Sequence, residues 1–230
     1  MAAGRGRTQP ARRAELAESA GRVGGRSADD RHHGDRDEPV ARLIQSGAVR
    51  HGRGRDAQAP VRLLPGPLLD EAIALFRAKS PKATPGRLYF DILTATTFRR
   101  GAWQHADLKA EQGKAPVYLY EIDWETPVDG GKWGSPHSVE HPFVFDNVAL
   151  SESMVGASQS EPQKIAEQIS PTWIAFARTG NPNNPAIPHW PPYTTAERAT
   201  MVFDTQSKAE THFREDERLL TAKAAEKDVL

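Results

Sequence analysis

The chain has 230 residues, 30 basic and 30 acidic side chains, no net charge and no cysteine. That length fits one large domain or two small ones, and the lack of cysteine excludes disulfides and thiolate chemistry. No apolar run approaches the roughly 18 residues of a membrane span. The N-terminus also lacks the apolar centre of a signal peptide. The sequence therefore reads as cytoplasmic by default, with no membrane partner, although a longer, secreted form is compatible with it.

The balanced totals conceal two compositions. Phe76 is the first aromatic residue and Lys79 the first lysine. Residues 1–62 carry 13 Arg against 8 Asp plus Glu, a net charge of +5. A segment without aromatics buries too little apolar surface to offset its ordering entropy. Residues 1–62 are therefore expected to form an Arg-rich arm that is disordered or comes from a non-native reading frame. A basic nucleic-acid-binding tail is the functional alternative. Such an arm would ordinarily mix Lys with Arg and use aromatics for stacking, so no nucleic-acid partner is expected. The folded domain is placed at 63–230.

From there the elements follow in order. Apolar residues at Leu68, Leu69, Ala72, Ile73, Leu75 and Phe76 predict a helix over 68–78, after Pro65 and Pro67. A second, longer helix is expected over 88–109, with Gly113 as its stop. Residues 116–123 are bulky and β-rich, which suits a strand buried on both faces of a sheet. Residues 125–136 read as loop because of Pro127, Gly130, Gly131, Gly134 and Pro136. A helix over 165–178 places Ile165, Ile169, Trp173, Phe176 and Ala177 on one face, and Gly180 with Pro182 ends it. Residues 199–204 predict a short final strand. The polar tail from Ser207 is expected to be a solvated coil or helix.

The chemistry concentrates in Gly134-Ser135-Pro136-His137-Ser138-Val139-Glu140-His141-Pro142-Phe143. A strand, a Gly/Pro-rich loop, a His and then an apolar segment is a way to present a general base from a rigid frame. An imidazole titrates near neutral pH, so it can take and return a proton. A lone loop His is more often an ordinary surface residue. His141, before Pro142 in a segment expected to pack, reads as structural, and Glu140 reads as a local shaping residue.

Three stretches together carry a family resemblance. They are Ala115-Pro116-Val117-Tyr118-Leu119-Tyr120 with Asp123-Trp124; Gly134-Ser135-Pro136-His137 with Pro142-Phe143-Val144-Phe145; and Trp173-Ile174-Ala175-Phe176-Ala177-Arg178-Thr179-Gly180-Asn181-Pro182, followed by Trp190-Pro191 and Met201-Val202-Phe203. In order and spacing, residues of about 65–215 resemble the C-terminal part of the type-B carboxylesterase/lipase family. The resemblance implies an α/β class: the C-terminal part of an α/β-hydrolase fold, with an incomplete sheet flanked by helices. It implies that His137 is the catalytic His of a serine esterase. It also suggests that Trp133 and Phe143 flank the active-site gorge.

The family's acid is usually a Glu in a Gly-x-x-x-Asp-Glu turn. Gly34-Asp35-Arg36-Asp37-Glu38 has that shape, which makes Glu38 the candidate acid. Its polar flank, Ala28-Asp29-Asp30-Arg31-His32-His33, replaces the usual apolar strand. The nucleophile sits in Gly-x-Ser-x-Gly at a strand-to-helix elbow. The nearest stretch here is Ala17-Glu18-Ser19-Ala20-Gly21, with Ala for the first Gly, so Ser19 is the candidate nucleophile. In the complete enzyme the resemblance implies acyl transfer from a small-molecule ester, with no cofactor and no metal. This polypeptide is expected to supply the base but to lack a working nucleophile and oxyanion hole, and so to be inactive alone. A partial sheet with open edges is expected to aggregate or stay partly molten when expressed alone. The alternative is a non-catalytic, cholinesterase-like interaction module.

Overall fold

In a computed structural model of the chain, residue 64 and residues 66–227 are described, with side chains described up to Ala224. The arm expected over 1–62 lies outside the described residues, and Ser19 and Glu38 lie outside them with it.

Helix α1, Gly66–Lys79, buries Leu68, Leu69, Ala72, Ile73 and Phe76, the face that the spacing predicts. Helix α2, Pro85–Thr94, begins before the expected position, because Thr84 Oγ1 accepts from the Arg87 N–H at 3.2 Å and Pro85 occupies the first turn. The single helix expected over 88–109 is interrupted. A π-helical turn, Ala95–Arg99, separates α2 from α3, Arg100–Gln112. Thr96 Oγ1 donates back to the Ile92 carbonyl at 2.7 Å and Thr97 Oγ1 donates to the Leu93 carbonyl. Hydroxyls that bond to the preceding turn compete with the α-helical ladder there. Gly113, at φ 62, ends α3 as its position predicts.

The sheet has three described strands in the order β1 (Leu119–Ile122), β2 (Thr200–Phe203), β3 (Lys208–Glu210). β1 runs parallel to β2, with Leu119 opposite Thr200 and Ile122 opposite Phe203. β3 is antiparallel to β2, with Met201 opposite Ala209. All four residues of the central strand β2 are buried. The expectation that β1 is buried on both faces is corrected. Tyr120 is 43% exposed and lines an apolar groove with Trp173 and Phe176 on one face of the sheet.

Between β1 and β2 come two 3₁₀ turns, Val128–Gly131 and Val148–Leu150, and three helices: α4 (His141–Val144), α5 (Glu152–Val155) and α6 (Ser160–Thr179). Ile165, Ala166 and Ile169 of α6 pack with Val139, Phe143, Met201 and Phe203. Phe176 and Ala177 depart from the predicted face and are exposed. The long α6 and its Gly180 stop match the sequence reading.

The C-terminal stretch differs most from expectation. The strand over 199–204 is not the last, since β3 follows it. The tail is not merely solvated either: helix α7, Glu215–Lys227, buries Glu217, Leu220, Thr221 and Ala224. Leu220 and Ala224, one turn apart, join a core with Leu68, Phe76, Leu88 and Ile92. The Glu217 carboxylate, with no exposed surface, takes Lys79 Nζ at 2.8 Å, Arg99 Nη1 at 2.7 Å and Arg214 Nη1 at 3.2 Å. Arg99 and Arg214 also hold Glu121 of β1, at 2.8 and 3.0 Å. Burial works to lower the Arg214 pKa, but Glu121, Glu217 and Asp123 outweigh it and the net shift is upward. One charge cluster thus ties α1, the π turn, β1 and α7 together.

Candidate active site

His137 lies on the segment that leaves the C-terminal end of β1, the end at which open α/β sheets place their ligands. The backbone there is fixed on both sides of it. Upstream, Trp124 is buried against Phe143, ring centroids 5.4 Å apart. Thr126 N–H donates to the Gly134 carbonyl at 2.9 Å, and Thr126 Oγ1 donates to the Met154 carbonyl at 2.6 Å. These two bonds close residues 126–134 into a loop of fixed ends. Ser135 Oγ then donates to the Ile122 carbonyl at 2.8 Å, fastening the loop back to β1. Downstream, Ser138 takes a left-handed φ of 70°, Val139 is buried and Phe143 is fully buried. His137 itself is exposed, with no hydrogen bond or ion pair to another described residue.

Gly134 adopts φ +60°, and a Cβ built there would stand 2.6 Å from Arg87 Nη1. That guanidinium is not free to retreat. Its Nε donates to Asp91 at 2.8 Å and its Nη2 to Glu125 at 2.6 Å. Burial works to lower the Arg87 pKa, but its bonds to Glu125 and Asp91 raise it overall. Burial pushes the Asp91 carboxyl up, more than Arg87 pulls it down. Gly134→Ala is therefore expected to lose stability by roughly 1–3 kcal/mol, the scale of stored backbone strain. Its melting temperature, compared with that of the unaltered chain, checks this; an unchanged value would deny the Arg87 contact.

Residues on either side of His137 line open space. Ser135, Pro136, Val139 and Glu140 border a cavity of 400 Å³ with Tyr120 and Glu121. Burial, followed by the charge of Glu140, raises the pKa of Tyr120. A cleft of 690 Å³ is lined by Arg87, Phe90, Asp91, Glu121, Trp133 and Ser135 among others. Trp133 is half exposed, with Nε1 donating to Asp129 at 2.9 Å and Lys132 over its ring. Phe143, in contrast, is fully buried in the core with Trp124 and Ile165. The structural reading of His141 is corrected too. Pro142 and Phe143 turn inward on α4, which leaves His141 outside, its Nε2 3.6 Å from Glu140. The Arg87 clamp carried no sequence signal, because Arg87 lies 47 residues before Gly134 in the chain.

A sequence model of the carboxylesterase family matches residues 71–220. The chain belongs to the carboxylesterase family. It is 32% identical over 145 residues to the para-nitrobenzyl esterase of Bacillus subtilis, covering 63% of this chain and 28% of that protein. It is 27% identical over 137 residues to the phenmedipham hydrolase of Pseudarthrobacter oxydans, 58% of this chain and 27% of that one. Among solved structures, a carboxylesterase of Geobacillus stearothermophilus superposes with a TM-score of 0.56 at 32% identity, over 68% of this chain and 32% of its own. A para-nitrobenzyl esterase structure gives 0.54 at 30% identity, over 69% and 31%. This carboxylesterase-family chain has the α/β-hydrolase fold over its matched part and spans about three-tenths of the length of these relatives. Among its described residues no helix is long and apolar enough to cross a membrane.

Proposed function

We propose that this chain supplies the general base, His137, of a serine carboxylic-ester hydrolase. The observation that carries the reading is the placement of His137: at the carboxyl end of a parallel strand, on a loop fixed at Gly134, Ser135 and Val139, with its imidazole free. Family membership supports the same role. In the reaction, a Ser hydroxyl attacks the ester carbonyl while His137 takes its proton. The imidazolium returns that proton to the leaving alkoxide, and His137 then activates water against the acyl-enzyme. An acid orients the imidazole. Glu38 is this chain's candidate for it, by its Gly-x-x-x-Asp-Glu turn. Ser19 is the closest residue to a nucleophile, but with Ala17 before it the strained elbow lacks its first Gly. The nucleophile and oxyanion hole of the working site therefore come from outside the matched residues, and Ser19→Ala is expected to change nothing.

The test has two arms. The full chain alone is expected to hydrolyse p-nitrophenyl acetate at the buffer rate. A chimera, in which residues 71–220 replace the matched stretch of the Bacillus subtilis para-nitrobenzyl esterase, is expected to turn the ester over. Specific turnover by the chain alone would show that it holds a nucleophile of its own. A folded but inert chimera would remove the reading of His137.

A further inference from the structure

With no hydrogen bond or ion pair to another described residue, His137 takes its position from the loop that carries it. The middle of that loop does little to fix it. Asp129, Gly130 and Gly131 stand at φ 54°, 74° and 78°, and the two glycines leave the backbone free to take other conformations. The ends must hold it, and both ends meet one side chain. Arg87 Nη2 donates to Glu125 at 2.6 Å, one residue before the loop closes at Thr126. At the other end, a Cβ on Gly134 would stand 2.6 Å from Arg87 Nη1, 2.8 Å from Cζ and 3.1 Å from Nη2, so the guanidinium lies against the Gly134 backbone.

Arg87 is itself anchored. Its Nε donates to Asp91, one helical turn on, at 2.8 Å. The other side of α2 buries Leu88, Tyr89 and Ile92 in a core with Leu68 and Phe76. Phe90 shares the face of Arg87 by its helical spacing and meets the Trp133 ring at 6.4 Å between centroids. Helix α2 thus presents Arg87, Phe90 and Asp91 as a seat for the loop end at Trp133 and Gly134. A planar fork that holds two carboxylates has one orientation, which a point charge on a flexible stem does not reproduce.

We infer that Arg87 is a positioning residue for His137: it spans Glu125 and Gly134, the two ends of the loop, and thereby sets where the loop holds the imidazole. This rests on the reading of His137 as the general base. A displacement of the imidazole by about 1 Å is enough to cost about 10²-fold in rate.

Two measurements test this. In the full chain, Arg87→Lys keeps the charge and removes the fork. The Thr126 amide, which donates to Gly134, is then expected to exchange with solvent at least about tenfold faster. The Asp123 amide, which donates to Phe203 across the sheet, is expected to exchange as before, because partly exposed ion pairs add little to the whole fold. In the chimera, Arg87→Lys is expected to lower kcat by roughly 10²-fold and to leave KM within about twofold. Glu125→Gln weakens the more exposed arm of the clamp and is expected to move both readouts the same way by less, so it carries the test where Arg87→Lys does not fold. Unchanged Thr126 exchange would overturn the inference. So would Thr126 and Asp123 exchange rising together, since Arg87 would then support the whole fold. A rise in KM at constant kcat would overturn it too, since Arg87 would then hold the ester in the cleft it borders. An active chimera whose kcat ignores Arg87→Lys would remove this inference and keep His137 as the base. A chimera that is folded but inert before Arg87 is changed would remove the reading of His137, and the inference would fall with it.

Discussion

Glu217→Ala is expected to destabilise the fold by about 3–5 kcal/mol, the cost of leaving buried charges without their partner. The carboxylate has no exposed surface and holds Lys79, Arg99 and Arg214 within 3.2 Å. Removing it takes one partner from each of three cations, of which Arg99 is the least exposed. Arg99 would keep Glu121, and Arg214 would keep Glu121 and Asp123. Lys79 would keep Asp216 on the surface side. Those remaining pairs hold the loss below that of a fully isolated charge. Glu217→Gln retains the shape and an acceptor oxygen, so it should lose less than Glu217→Ala. Urea denaturation of both variants followed by circular dichroism measures this. A midpoint that does not move for Glu217→Ala would mean that α7 is not fastened through this residue.

His137→Ala in the chimera is expected to lower kcat by roughly 10⁴- to 10⁶-fold, since losing the His of a serine triad costs nearly as much as losing all of it. KM should change little, because His137 acts on protons in flight and leaves the binding of the ester to other groups. Stability should not change either, as the side chain is exposed and makes no bond to the described residues. That combination separates a base from a residue that merely shapes the loop. A structural His would alter the melting temperature and KM together.

The sequence made legible what its local periodicity encodes. Helices α1 and α6 follow from Leu68, Ile73 and Phe76, and from Ile165 and Ile169, at helical spacing, and Gly113 and Gly180 mark two helix ends. The π turn escaped because its cause is two hydroxyls, Thr96 and Thr97, bonding backward within a helical stretch. β3 escaped because Lys208-Ala209-Glu210 is too short to show alternation. Glu217 looked like one more acid in a polar tail, since its partners Lys79 and Arg99 lie 138 and 118 residues away. β1 looked doubly buried because its residues are bulky, and bulk alone does not reveal that Tyr120 stays 43% exposed. Around His137, the loop was legible through Pro127, Gly130, Gly131, Gly134 and Pro136. The clamp that holds its loop was not, because Gly134 meets Arg87 only after folding. His141 was misread because a Pro beside it suggested packing, whereas α4 turns Pro142 inward and His141 out.

The most direct measurement is kcat/KM of the chimera for p-nitrophenyl acetate with His137 and His141 replaced by Ala in turn. These are the two imidazoles of one short segment, both exposed and four residues apart. The role of His137 as the base predicts that His137→Ala abolishes turnover and that His141→Ala leaves it within about twofold, as expected of a surface substitution away from the reacting atoms. Turnover that survives His137→Ala, or that disappears with His141→Ala alone, would contradict it.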